Sequence, residues 1–114
     1  MKIYLAIPYS GIEKISFEIA NKIAGILMSE GHIVYSPISH SHSIAEVCDL
    51  PKDWAFWEKT DTSFIEWCDN LCVVHIHGLV ESSKQLISKS KGVTAEIAIA
   101  KKLGKGISEY HYTK

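Results

Sequence analysis

Not one of the 114 residues is an arginine; all twelve basic residues are lysines. A phosphate bound here is therefore held without the planar guanidinium fork, by backbone N–H groups, hydroxyls or an ammonium. Cysteine is also scarce. Cys48, Cys68 and Cys72 make an odd number in a chain that is 46% hydrophobic, which speaks against a disulfide framework and for a reducing compartment. The expected location is cytoplasmic, with the thiols in the core. An excess of charge of either sign is missing as well. A formal net charge of -1, evenly scattered, leaves no basic patch, so neither a nucleic acid polymer nor a membrane surface is expected as a partner. Long apolar runs are missing too: "MKIYLAIPYSG" is too short to span a bilayer and has no signal-peptide cleavage pattern, so it reads as a first strand.

The length fits a single domain, residues 1–114, around one core. "KIYLAI" stops at Pro8 and is followed by Ile12, Ile15, Ile19, Ile23 and Ile26 at helical spacing, with Gly31 as the stop. "HIVYS" is a second strand, and "ISHSHSIAEVCDL" reads as a loop with one helical turn. After Pro51, the residues Trp54, Trp57, Phe64 and Cys68 mark a helix, and "LCVVHIH" a third strand. Gly78 to Ser90 is expected as a surface loop with room for a turn or two of helix. A helix over "SKGVTAEIAIAKKLGK", closed by Gly104, leads to a short last strand over residues 105–108.

Strands alternating with helices predict an α/β fold, Rossmann-like or flavodoxin-like: three layers, with a parallel sheet of four to five strands and helices on both faces. In such sheets ligands bind beyond the carboxyl ends of the strands, here Pro8 to Gly11, Ser36 to His42 and His77 through to Gly92.

Two acids interrupt the apolar stripes. Glu96 shares a helix face with Ile99, Ala100 and Leu103, and Asp61 one with Trp54, Trp57, Phe64 and Cys68. A buried unpaired carboxylate costs several kcal/mol or takes up a proton, so each position calls for a partner, a solvent channel or a function. An ordinary acid in a first helical turn and a break in the helix near Thr60 are the bland alternatives. Two such acids ending near the strand tips fit glycosidic-bond chemistry, which uses paired carboxylates. Ser90 and Gly92 stand where a helix mouth can meet an anion, though Ser is equally a common N-cap.

These residues resemble the nucleoside 2-deoxyribosyltransferase superfamily, including its 2'-deoxynucleoside 5'-phosphate N-hydrolases and small relatives. The likeness runs from Ile3 to Ile107 and rests on "IYLAIPYS", on "DTSFIEWCDNLCVV" with Asp61 and Asp69, and on "SKGVTAEIAIAKKLGK". "VYSPISHSH" resembles the small relatives. The resemblance implies that Glu96 is the nucleophile attacking C1' of the sugar, that Asp61 assists near the base, and that Tyr9 helps place the sugar. Asp69 is expected to orient the following strand. Where transferases of free nucleosides carry an Asp, this chain has Ser90, as the monophosphate hydrolases do, and a hydroxyl suits a phosphate dianion where a carboxylate repels it. The resemblance thus implies hydrolysis of a nucleoside 5'-monophosphate. The alternatives are deoxyribosyl transfer or silent nucleotide binding. The hydrolases' Gly- and Arg-rich phosphate loop is here "PYSG", so Ser10, Gly11 and Lys91 are expected to take its place, and Gly78 to border the site.

His40-x-His42 and His75-x-His77 invite a metal reading, but no Cys or acid stands beside them at zinc-motif spacing. His40 and His42 are expected at the pocket mouth and His77 near it, with no metal and no cofactor. The family's habit of completing the pocket from a neighbour implies a homo-oligomer, with the tail "EYHYTK" as a candidate contact.

Overall fold

Strands buried on both faces read as continuous apolar runs, and two of these strands do so. In β1 (Lys2–Ala6) Ile3 and Leu5 point to one face, Tyr4 and Ala6 to the other. In β3 (Asn70–His77) Cys72, Val74 and Ile76 join the first group, Leu71 and Val73 the second. A computed structural model describes residues 1–114 and adds β2 (Ile33–Tyr35) and β4 (Gly106–Thr113), giving one parallel sheet in the order β2-β1-β3-β4.

Helices cover both faces. Helix α1 (Glu13–Ser29) lays Ile19, Ala20, Ile23, Ala24 and Leu27 on the first face, beside Leu86 of α4 (Ser83–Lys89). Helices α3 (Trp54–Trp67) and α5 (Lys91–Lys102) cover the second with Ile65, Val93 and Ala100. The expected α/β, Rossmann-like class is what is observed. No helix is long and apolar enough to cross a membrane. The chain leaves β1 toward β2 on one side and returns to β3 on the other. The order therefore reverses between β1 and β3, and their carboxyl ends open a crevice there.

Three expectations need correction. Residues 37–48 form α2 (Pro37–Cys48), not a loop; its buried face consists of Pro37, Ser41 and Ala45, four residues apart, and small residues leave no hydrophobic signature. The turn or two of helix allowed for within 78–90 is α4, started by a capping box in which the Ser82 hydroxyl accepts from the Gln85 amide and the Gln85 side chain accepts from the Ser82 amide. The last strand runs to Thr113, so the tail is a sheet edge whose Tyr110 and Tyr112 pack on the α1 core of their own chain. Cys48 is exposed, whereas Cys68 and Cys72 are buried thiols.

Candidate active site

A cavity of about 330 Å³ lies at the carboxyl ends of the strands, between the segment after β1, α2, α3 and the start of α5. Its size suits a small molecule. Both sequence-predicted acids line it. Asp61, on α3, is 6% exposed, and Glu96, on α5, is 5% exposed.

Each acid is brought in by the packing of its helix. Ile65, one turn after Asp61, and Val93 and Ala100, flanking Glu96, are anchored in the second core, so the faces that carry the acids turn toward the sheet. There the Tyr4 hydroxyl of β1 donates a hydrogen bond to Glu96. Burial, with the charge of Asp61 adding to it and Tyr4 opposing, raises Glu96 from 4.5 to about 8. Burial raises Asp61 from 3.8 to about 7. Near neutrality the two neighbours therefore hold about one proton between them. The Tyr4 phenol is pushed well above its ordinary 10, by burial first and by the charges of Glu96 and Asp61 next, so it stays a donor. One carboxylate oxygen of Asp61 is buried without any partner. Such an orphan costs roughly 1–3 kcal/mol or more, and it belongs to a residue that lines the cavity.

At the start of α5 the Ser90 hydroxyl accepts from the Val93 amide at 3.1 Å, while the amides of Lys91 and Gly92 find no acceptor within the protein. Lys52, Lys89 and Lys91 also border the cavity, and Trp54 and Trp57 form a wall. Lys89 pairs with Glu81 at 2.5 Å and Lys52 with Glu46 at 3.0 Å, both at the exposed rim. On the far side Tyr9 and Ser10 line the cavity with His42, whose Nδ1 lies 2.5 Å from the Tyr9 hydroxyl and whose ring stacks on Phe17 at 4.4 Å.

Seven of the ten residues singled out from the sequence thus meet in one place: Glu96, Asp61, Tyr9, Ser10, His42, Ser90 and Gly92. Three do not. Gly11 is exposed, and its amide is taken by a Glu13 carboxylate oxygen at 2.7 Å, which closes it to an anion. His40 sits two residues before His42 on a helix, so the two rings point to different sides, and His40 faces a shallow depression beside α1. Gly78 is held against the chain terminus, where the Lys114 amide donates to the His77 carbonyl at 2.8 Å. Asp69 stays outside the cavity and ties β1 to the start of β3 through the Lys2 amide at 2.9 Å.

The sequence reading passed over Tyr4, the two tryptophans as a cavity wall, and the rim lysines Lys52 and Lys89. Tyr4 carried a usable signal: a hydroxyl within the otherwise apolar run from Ile3 to Ile7 is as much an intrusion as Glu96 on its helix.

A family model described as Domain of unknown function (DUF1937) matches residues 1–112. The chain belongs to this family. No curated protein matches the sequence. Among solved structures, this DUF1937 member is similar to a 2-deoxyribosyltransferase from Bacillus psychrosaccharolyticus, at 23% identity and a TM-score of 0.64 over 99% of this chain and 74% of that one. It is likewise similar to a 2-deoxyribosyltransferase from Leishmania mexicana, at 14% identity and a TM-score of 0.64 over 96% of this chain and 63% of that one. The DUF1937 chain thus has the nucleoside 2-deoxyribosyltransferase fold.

Proposed function

We propose that this protein is an enzyme that cleaves the N-glycosidic bond of a nucleoside 5'-monophosphate through a covalent glycosyl intermediate on Glu96. The observation that carries the reading is the pair of buried acids in one cavity, one held by Tyr4 and the other left with an unpartnered oxygen. An acid raised to the neutral range by burial, as Asp61 is, suits the proton donor, while the hydrogen bond from Tyr4 favours the ionised form that a nucleophilic Glu96 needs.

The shared proton rests mainly on Glu96, the weaker acid of the two; the reactive arrangement is the minor one in which it has moved to Asp61 and Tyr4 donates to ionised Glu96. The Glu96 oxygen forms a bond to C1' as the C1'–N bond breaks. The electron pair of that bond leaves with the base, and Asp61 delivers its proton there. Water then attacks C1', gives its proton to Asp61 and frees Glu96. The base stacks between Trp54 and Trp57, and the phosphate lies on the Lys91 and Gly92 amides and the Ser90 hydroxyl, where the helix dipole favours an anion.

Transfer of the glycosyl group to a second base uses the same intermediate, and the names of the two structural neighbours favour it. A panel of ribo- and deoxynucleosides and their 5'-monophosphates, with and without an acceptor base, followed by chromatography for free base, separates the outcomes. Free base from a monophosphate without acceptor is expected, lost in Glu96→Ala and reduced at least tenfold in kcat/KM by Ser90→Asp. Nucleotide binding with no base released, unchanged in Glu96→Ala, defeats the reading.

A further inference from the structure

His75 and His77 alternate along β3, and Glu109 and His111 alternate along β4, so all four side chains leave the sheet on the same face. The parallel register sets His75 opposite His111. Nε2 of His75 comes within 3.2 Å of a Glu109 carboxylate oxygen, and the His75 and His111 rings stack at 4.5 Å. One ligand atom from each of His75, Glu109 and His111 lies within 4.8 Å of the others. Nε2 of His77 stands 2.9 Å from Nδ1 of His111. None of the four lines the cavity, so glycosidic chemistry gives no reason for the cluster.

We propose that His75, Glu109 and His111 bind a divalent transition-metal ion of the zinc class, with His77 as the outer partner that orients His111. Two imidazoles and a carboxylate form a donor set suited to Zn²⁺, and three protein ligands leave a position for water or for a donor from another molecule. With Nδ1 of His111 turned to His77, its Nε2 is the nitrogen left for the ion, the arrangement that fixes tautomer and ring angle in metal sites. Donors around tetrahedral zinc stand roughly 3.4 Å apart. Glu109 and His111 are exposed on an edge strand and can turn inward to reach that spacing. The ion would tie β4 to β3, its one neighbour in the sheet.

The test uses untagged protein stripped with a chelator and titrated with Zn²⁺ by calorimetry, and with Co²⁺ by visible absorption. Saturable binding of a single ion is expected, with cobalt bands of a nitrogen and oxygen site and no thiolate charge-transfer band of the kind Cys48 would give. Affinity should fall about tenfold or more in His77→Ala, and further in His75→Ala and His111→Ala. It should be unchanged in Glu96→Gln. Circular dichroism checks that each variant folds; should a histidine variant fail to fold, Glu109→Gln takes its place and the wild-type cobalt spectrum still reads the ligand set. No saturable binding, a thiolate band, or full affinity in a folded His75→Ala/His111→Ala double variant overturns the proposal.

Discussion

Glu96→Gln should make the protein more stable in alkali and leave it unchanged in acid. Glu96 is 5% exposed and is bonded to the Tyr4 hydroxyl. Its acidity is raised from 4.5 to about 8, chiefly by burial. Between those two values the folded chain holds a proton that the unfolded chain has released. The contribution of Glu96 to stability is therefore fully present below about pH 4.5 and drains away as the pH rises toward 8. At about 1.36 kcal/mol per pH unit, the interval from 4.5 to about 8 amounts to roughly 4 to 5 kcal/mol. That is a large share of the 5–15 kcal/mol or so that holds a typical domain together.

A glutamine keeps the shape and the acceptor for Tyr4 but cannot ionise. At pH 4.5, where a neutral amide replaces a neutral carboxyl, the two proteins should agree within about 1 kcal/mol. At pH 9 the variant should be ahead by roughly 4 kcal/mol, or upward of about 10 °C in melting temperature for a chain of this length. Asp61, raised to about 7 by burial, is present in both and largely cancels. Urea denaturation followed by circular dichroism at pH 4.5, 7 and 9 measures the difference directly. Two stability curves that stay parallel with pH, or a variant weaker at pH 9, would refute the reasoning. A residue whose neutral replacement stabilises the fold is kept for something other than folding.

Tyr4→Phe removes the donor that favours ionised Glu96, a bond to a charged group worth roughly 1.5–3 kcal/mol. The acidic limb of the kcat/KM profile for base release should move about 1 to 2 pH units toward alkali, and an unmoved limb would show that Tyr4 does not act on the reactive carboxylate. Gly78→Ala should destabilise by about 1–3 kcal/mol, read as a lower melting temperature. Gly78 has a φ of 92°, and an added Cβ would sit 2.7 Å from the Lys114 carbonyl oxygen. An unchanged melting temperature would mean that the terminus yields without cost.

The two acids were legible because large neighbours framed them. Trp54, Trp57 and Phe64 set a helical period that Asp61 interrupts, as Ile99 and Ala100 do for Glu96, and an interruption of a period can be read without knowing the partner. Where no such frame exists, the reading fails for a physical reason. Helix α2 packs through Pro37, Ser41 and Ala45, whose burial stabilises through close approach and not through area, so no apolar stripe announces it. Its twist then separates His40 from His42, which look like equals in the sequence.

Lys52 and Lys89 stand on solvent-facing stretches, where a charge interrupts nothing. The histidine cluster escaped for a third reason: its halves are 34 residues apart, and only the register of β4 against β3 makes them neighbours. Periodicity reports which way a residue faces; pairing between distant strands decides what it meets. A buried catalytic acid is therefore visible one residue at a time, whereas a site assembled across two strands is invisible until the strand order is known. The metal test is for that reason the sharper trial of the sheet topology itself, since a β4 slipped by one residue against β3 would send Glu109 and His111 to the opposite face and abolish the site.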